Sequence, residues 1–282
     1  MNADLLDLDL VRTFVAVVDC RSFTVAAGRL GSTQSTVSQK IGRLEEQVGQ
    51  TVLDRSSRDL HLTEAGEKLI GYARRLLQLN DEAVEALAGT TVEVTLRLGV
   101  PEDFAAGKLT RMLVAFTARH PHLKLEVTSG LSRDLRRFYE RGELDVVLVK
   151  QRQGGDKGVQ AWPEPMCWID SKKHPTFKRD PVPLVAFPAH GLYRDEMIST
   201  LEGLGRAWRI SYSSASLASL QAAVADGLGI SLLPVRTVLP AHRVLGEEHG
   251  LRTIDTMEIV LHHRPDADEV VRDLAGQLAR LV

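Results

Sequence analysis

Apolar positions in the first ninety residues recur at steps of three and four, the spacing of amphipathic helices. Over 8–18 they are Leu10, Val11, Phe14, Val17 and Val18. A second helix starts behind Ser22 and Thr24, both N-cap residue types, and turns Val25, Ala26 and Leu30 inward. Small Ala27 suits a close helix crossing, and Gly31 supplies the turn because it takes positive φ without strain. A third helix, capped by Ser32 or Thr33, sets Val37, Ile41, Leu44 and Val48 on one stripe. Short apolar pieces at 52–53 and 60–62 flank Arg55-Ser-Ser-Arg58-Asp59, a turn with two guanidinium groups. Thr63 then caps a longer helix with Glu64 and Glu67 in its first turn, where carboxylates suit the dipole. Its heptad-like stripe is Leu69, Tyr72, Leu76, Leu79, Ala83 and Ala86. A helix of about 25 residues spans roughly 37 Å, too long for a small winged helix to bury. Pairing with a second copy is the expected outcome, and Gly89 with two threonines ends the helix.

Beyond residue 91 the pattern alternates between strands and helices. Strands at 95–100, 123–128 and 144–150, with helices at 109–119 and 131–141, give βαβαβ order and a parallel sheet covered by helices. A second set places strands at 184–187, 208–212 and 230–233, with helices at 193–204 and 217–226. A strand at 259–262 returns to the first lobe, and a helix at 268–281 closes the chain. The expected fold class is α/β behind an all-α winged helix-turn-helix. The head covers 1–62, the linker and dimerisation helix 63–90, and the α/β domain 91–282. Within the last, lobe I takes about 91–161 and 263–282, and lobe II about 162–262. Ligands in open α/β sheets lie beyond the carboxyl ends of strands. That rule nominates Pro101, Glu102, Asp103, Thr128, Ser129, Phe187, His190, Ser213 and Ser214. Glu102 and Asp103 would oppose a carboxylate ligand unless a cation intervened.

Composition narrows the partners. At 282 residues and 44% apolar content the chain can bury a full core and hold two or more domains. Residues 1–90 carry ten Lys/Arg against thirteen Asp/Glu, so the head is not basic overall. One copy would bind nucleic acid weakly, and two linked copies would multiply the affinity. No run of eighteen apolar residues occurs, so no membrane span is expected. The start, Met1 to Leu10, lacks the basic and apolar regions of a signal peptide. Two distant cysteines, Cys20 and Cys167, fit a reducing cytoplasm, with Cys20 expected as a small buried residue. His120 and His122, like His262 and His263, lack a cysteine or carboxylate at ligand spacing, so no metal is expected and no other cofactor either. Gly227-Leu-Gly229 follows a helix and precedes a strand, the reverse of a dinucleotide-binding turn. No nucleophile elbow, P-loop or acid pair identifies an enzyme.

The third helix points Gln34, Ser35, Thr36, Ser38, Gln39 and Arg43 away from its stripe, with Thr33 at its start. Short hydroxyls and amides near a helix N-terminus suit base edges and phosphates of double-stranded DNA. A merely solvated face is the plainer reading of such residues, and an ion pair with Asp54 or Asp59 is the plainer reading of Arg55. Ala26-Ala27, Leu30, the run Thr33-Gln34-Ser35-Thr36-Val37-Ser38-Gln39-Lys40-Ile41, Leu44-Glu45, Val48-Gly49, Leu53, Arg55 and Leu62-Thr63-Glu64-Ala65-Gly66 together resemble the LysR-type transcriptional regulators. The run 33–39 and the segment 71–83 look most similar to the branch of LrhA/HexA-type repressors. Ser35 stands where the pattern commonly has proline, and Asp54 where it has a wing phenylalanine. The resemblance implies that Gln34, Ser38 and Gln39 face the major groove and that Arg58 reaches towards the minor groove. It also implies a homodimer or homotetramer, and a sensor of the type 2 periplasmic-binding-protein fold that takes a small-molecule effector. A second reading is an α/β ligand-binding or catalytic protein whose winged helix binds another protein; turnover of the ligand would separate the two.

Overall fold

The structure, a computed structural model, describes residues 5–54, 60–88, 94–104, 108–189, 191–252 and 254–282. The chain divides into two compact units, 1–94 with 137–144, and 95–136 with 145–282.

In the first unit α1 (Leu8–Cys20), α2 (Phe23–Arg29) and α3 (Gln34–Val48) close around Phe14, Ala26, Val37, Ile41 and Leu44, all fully buried. Each start is capped as its residue type predicts. Ser22 Oγ accepts the Val25 N–H at 3.3 Å, and Thr33 Oγ1 accepts that of Thr36 at 3.2 Å. Gly31 adopts φ +60°, which the tight turn between α2 and α3 requires. Val25, expected inward, is 59% exposed. The two-turn α2 buries a narrow face, and Ala26 with Ala27 fills it by letting its neighbours approach closely. Cys20 is half-buried at the end of α1.

A two-stranded wing follows, β1 (Leu53–Asp54) antiparallel to β2 (His61–Leu62). Glu45 at the far end of α3 holds it, its carboxylate accepting the Val52 N–H at 2.9 Å. The long helix α4 (Glu64–Ala88) then buries Ile70 and Ala73 in the head core. Its first turn runs against the chain leading into β1. Thr63 Oγ1 donates to the Thr51 carbonyl at 2.7 Å and accepts the Gly66 N–H at 3.0 Å. A Cβ on Gly66 would stand 2.0 Å from the Val52 carbonyl oxygen. Gly66→Ala should therefore destabilise the head by about 1–3 kcal/mol, as overpacking against backbone does. Urea titration followed by circular dichroism checks it, and an unchanged midpoint would refute the close approach.

In the second unit one sheet has five strands in the order β4-β3-β5-β12-β6. Here β3 is Val94–Pro101, β4 Leu123–Gly130, β5 Val146–Arg152, β6 Gln160–Pro163 and β12 Met257–His263. Helices α5 (Lys108–Arg119) and α9 (Glu269–Ala279) cover it, with Leu98, Phe116, Leu148 and Leu274 buried between. The expected parallel sheet is in fact mixed. β3 and β5 are parallel, but β12 returns from the other lobe antiparallel to both β5 and β6. The strand expected at 259–262 to return to the first lobe does so as β12, so Trp162 and most of β12 belong to this sheet although the span expected for lobe II was about 162–262.

The other lobe pairs β8 (Val182–Ala186) with β9 (Trp208–Ser213) in parallel. Beside them β7 (Met166–Ser171) is the centre of an antiparallel sheet, flanked by β10 (Ser231–Pro234) and β11 (His242–Leu245). Helices α7 (Leu192–Gly203) and α8 (Leu217–Ala225) pack on this core through Met197, Leu201, Leu220 and Val224. The glycine at 227 ends α8 at φ +83°. Asp170 is wholly buried at the end of β7. Its carboxylate accepts N–H bonds from Ser171, Thr176 and Phe177, the Thr176 hydroxyl and the Arg243 guanidinium. Among the described residues no helix is long and apolar enough to cross a membrane.

Candidate functional site

The outward face of α3 sorts into two groups. Near its start the hydroxyls serve the helix itself: Thr33 Oγ1 lies 2.9 Å from Ser35 Oγ and 2.8 Å from Thr36 Oγ1, besides capping the Thr36 amide. Gln34, Ser38, Gln39 and Arg43 have no hydrogen-bond or ion-pair partner among the described residues, and all but half-buried Ser38 are exposed. Lys40 is turned back to Asp9 at 2.7 Å. Thr33, Ser35 and Thr36 are thus engaged with one another, while four other polar side chains of this face have no partner among the described residues. Arg55 and Arg58 lie outside the described residues.

Past the head, α4 exposes an apolar row. Tyr72 is 63% exposed, Leu79 64%, Val84 60% and Leu87 90%, with Leu76 at 37%. Of the sequence-derived stripe, Leu69 is half-buried against the head core and Ala83 is exposed. The side chain of Ala86 lies outside the described residues. Val84 and Leu87, beside the stripe rather than on its three-and-four spacing, are further exposed apolar positions that it did not include.

The second unit contains a cavity of about 480 Å³, within the roughly 300–1,000 Å³ typical of small-molecule sites. Pro101, Glu102, Asp103 and Phe187 line it, as the strand-end rule nominated. Thr128, Ser129, Ser213 and Ser214 do not. The strand β4 runs on to Gly130, so its carboxyl end comes later, and the wall is made by Gly130, Leu131, Ser132 and Arg133 at the start of α6 (Ser132–Glu140). Gly191, Leu192 and Tyr193 at the start of α7 also line it. His190 lies outside the described residues. Sequence reasoning also missed Lys150, Gln151 and Arg152 at the end of β5 and Arg136 on α6.

Lys150 is a cation that answers one of the two acids, Asp103, and leaves Glu102 unpaired. Its ammonium, only 2% exposed, donates to Asp103, to Glu164 at 3.0 Å and to the Tyr193 hydroxyl at 2.6 Å. Tyr193 donates on to Asp103 at 3.0 Å. Arg236 closes the network, bonding Glu164 at 2.9 Å and the Asp103 carbonyl at 2.7 Å. Burial works against the Asp103 charge, but Lys150 and Arg236 outweigh it and hold its carboxyl below the usual range. Burial, reinforced by Asp103 and Glu164, pushes the Tyr193 phenol well up, so it stays a neutral donor. At the cavity rim Arg136 bonds Asp156 at 2.6 Å and His262 at 3.2 Å, while Arg152 meets Glu196 at 2.9 Å. Burial, and then Arg136, lowers the His262 pKa. Burial alone pushes the Cys167 thiol on β7 up to about 11. The other histidine cluster is occupied too, His120 lying 3.4 Å from Asp273.

An exposed polar helix on a three-helix head, and a cavity between α/β lobes, are the two parts of one kind of protein. Residues 8–67 match the family described as the bacterial regulatory helix-turn-helix protein, lysR family, and residues 90–281 match the LysR substrate binding domain. The HTH-type transcriptional regulator PecT of Dickeya dadantii is 35% identical over 93% of this chain and 83% of its own. The regulator DgdR of Burkholderia cepacia is 33% identical over 84% of this chain and 80% of its own. In fold, the chain is similar to full-length LysG of Corynebacterium glutamicum with bound effector Arg, at TM-score 0.70 and 20% identity over 98% and 99% of the two chains. Family matches over both units, and two relatives named as regulators, exclude the reading as an enzyme with an accessory winged helix. With a DNA-binding helix-turn-helix at one end and an effector-binding domain at the other, the chain belongs to the LysR family of transcriptional regulators.

Proposed function

We propose that this cytoplasmic regulator reads double-stranded DNA with Gln34, Ser38, Gln39 and Arg43, pairs through the apolar row of α4 as a homodimer or homotetramer, and takes its effector in the cavity beside Asp103. The observation that carries the reading surface is the unpartnered polar face of α3 set on a fully buried stripe of Val37, Ile41 and Leu44. An amide such as Gln34 can bond an adenine edge in both directions, whereas Arg43 suits guanine or phosphate. Arg58 belongs to the same proposal through the wing, where arginine favours a narrow minor groove. Ligand in the cavity can change DNA binding only through different affinities for the two arrangements of the assembly.

The test is competition binding to the DNA upstream of the protein's own reading frame. Gln34→Ala should narrow the gap between specific and random DNA by about tenfold, a loss of roughly 1–3 kcal/mol of discrimination. Arg58→Ala should weaken both and flatten the salt dependence by about one phosphate contact. Identical binding by both variants would remove these residues from the interface. For the cavity, a metabolite library screened by thermal shift against the wild type and a cavity-filling Val149→Phe variant identifies ligands that need this space. If every responding compound also shifts the filled variant, the effector binds elsewhere.

A further inference from the structure

The charges around the cavity are almost all answered within the protein. Asp103 and Glu164 are balanced by Lys150 and Arg236, Arg136 by Asp156, and Arg152 by Glu196. Two lining residues stand apart. Glu102 is half-buried and Arg133 exposed, and neither has a hydrogen-bond or ion-pair partner among the described residues. They come from different elements, Glu102 just past β3 and Arg133 in the first turn of α6. The rest of the lining includes the apolar side chains Leu131, Val149, Phe187 and Leu192.

We propose that the effector is a zwitterion, an α-amino acid with an apolar side chain. The proposal rests on the reading of this cavity as the effector site and deepens it. An ammonium answers Glu102, and a carboxylate answers Arg133 together with the backbone N–H groups that the first turn of α6 cannot bond internally. The apolar side chain then lies on Leu131, Val149 and Phe187. A ligand with a carboxylate alone leaves Glu102 unanswered beside a second negative charge, and an amine alone leaves Arg133 unanswered. Asp103 does not compete for the ammonium, because Lys150 already neutralises it. The inward acid that seemed to forbid a carboxylate ligand is thus spent, and the one beside it becomes a recognition group.

Full-length protein should be titrated calorimetrically, and followed by thermal shift, with two matched sets: L-leucine, isocaproate and isoamylamine, then L-phenylalanine, hydrocinnamate and phenethylamine. At least one amino acid should bind, with its single-charge analogues about ten- to a hundredfold weaker, the range for losing a charge-assisted hydrogen bond. Glu102→Gln should remove the preference for the amino acid over its deaminated analogue, and Arg133→Gln the preference over the amine. Equal binding of acid and amino acid, unaltered in Glu102→Gln, overturns the zwitterion and leaves the cavity as the effector site. Binding that persists in both charge variants and in Val149→Phe overturns both readings. No binding by either set also overturns the zwitterion, while the library screen on Val149→Phe decides the cavity independently.

Discussion

Lys150→Met should lower the stability of the second unit by about 3–5 kcal/mol, the cost of leaving buried carboxylates without their partner. For a domain of this size that is a fall of roughly 10 °C in melting temperature. The side chain is nearly fully enclosed, and Asp103 and Glu164 are 3% and 5% exposed, so water cannot replace the ammonium. Arg236 alone cannot compensate, since it faces the Asp103 carboxylate at 3.9 Å. The pH dependence supplies the sign. The folded-state pKa of Asp103 is depressed, so its stabilisation is present in full above the unfolded carboxylate pKa, near about 3.9. It is lost as pH falls through the folded value. In Lys150→Met the Asp103 carboxyl loses its main counter-charge and becomes easier to protonate, so the penalty should shrink as pH approaches about 4. Thermal unfolding of both proteins between neutral and acid pH tests this. A variant melting within about 2 °C of wild type at neutral pH would mean that the network contributes little.

The second large effect concerns assembly. Tyr72→Glu combined with Leu79→Glu should yield monomers whose affinity for the upstream DNA falls by about a hundred- to ten-thousandfold, the gain that linking two weak sites supplies. Both positions are nearly two-thirds exposed and neither belongs to the head core, so the charges need not disturb the fold. Light scattering after gel filtration reads the mass, circular dichroism confirms the fold, and mobility shift reads the affinity. A folded double variant that remains dimeric and binds as before would place the pairing surface away from α4. The near-neutral head explains the expected size of the loss. Lys40 is already committed to Asp9, leaving few cations to hold a single head on the phosphates.

The head was legible because its signals are local. Caps at Ser22 and Thr33, the turn glycine at 31 and the stripe Val37–Ile41–Leu44 each lie within one or two helical turns. The second lobe was less so. Strand β7 is buried at all six positions and includes Trp168, Asp170 and Ser171, so it shows neither alternation nor a purely apolar run. Its partner β11 holds buried His242 and half-buried Arg243, which read as loop. The cavity was half legible for a related reason. Strand ends named Pro101 to Asp103 and Phe187, but the network around Lys150 joins residues 14, 43 and 47 positions away. No periodicity marks which lysine at the end of an apolar strand turns inward. Thr128 and Ser129, like Ser213 and Ser214, were nominated by the same strand-end rule, but β4 extends to Gly130, which moves that strand's opening past the first two, and none of the four lines the cavity.

The placement of the two cysteines gives the experimenter a handle. With its pKa near 11, the Cys167 thiol ionises at neutral pH to only about one part in ten thousand, and it is enclosed within β7. That leaves Cys20, half-buried at the end of α1, as the more accessible of the two thiols for maleimide dyes. A fluorophore there sits on the DNA-reading head, and the unaltered sequence thus provides an attachment point for following that head while ligands are added to the other unit.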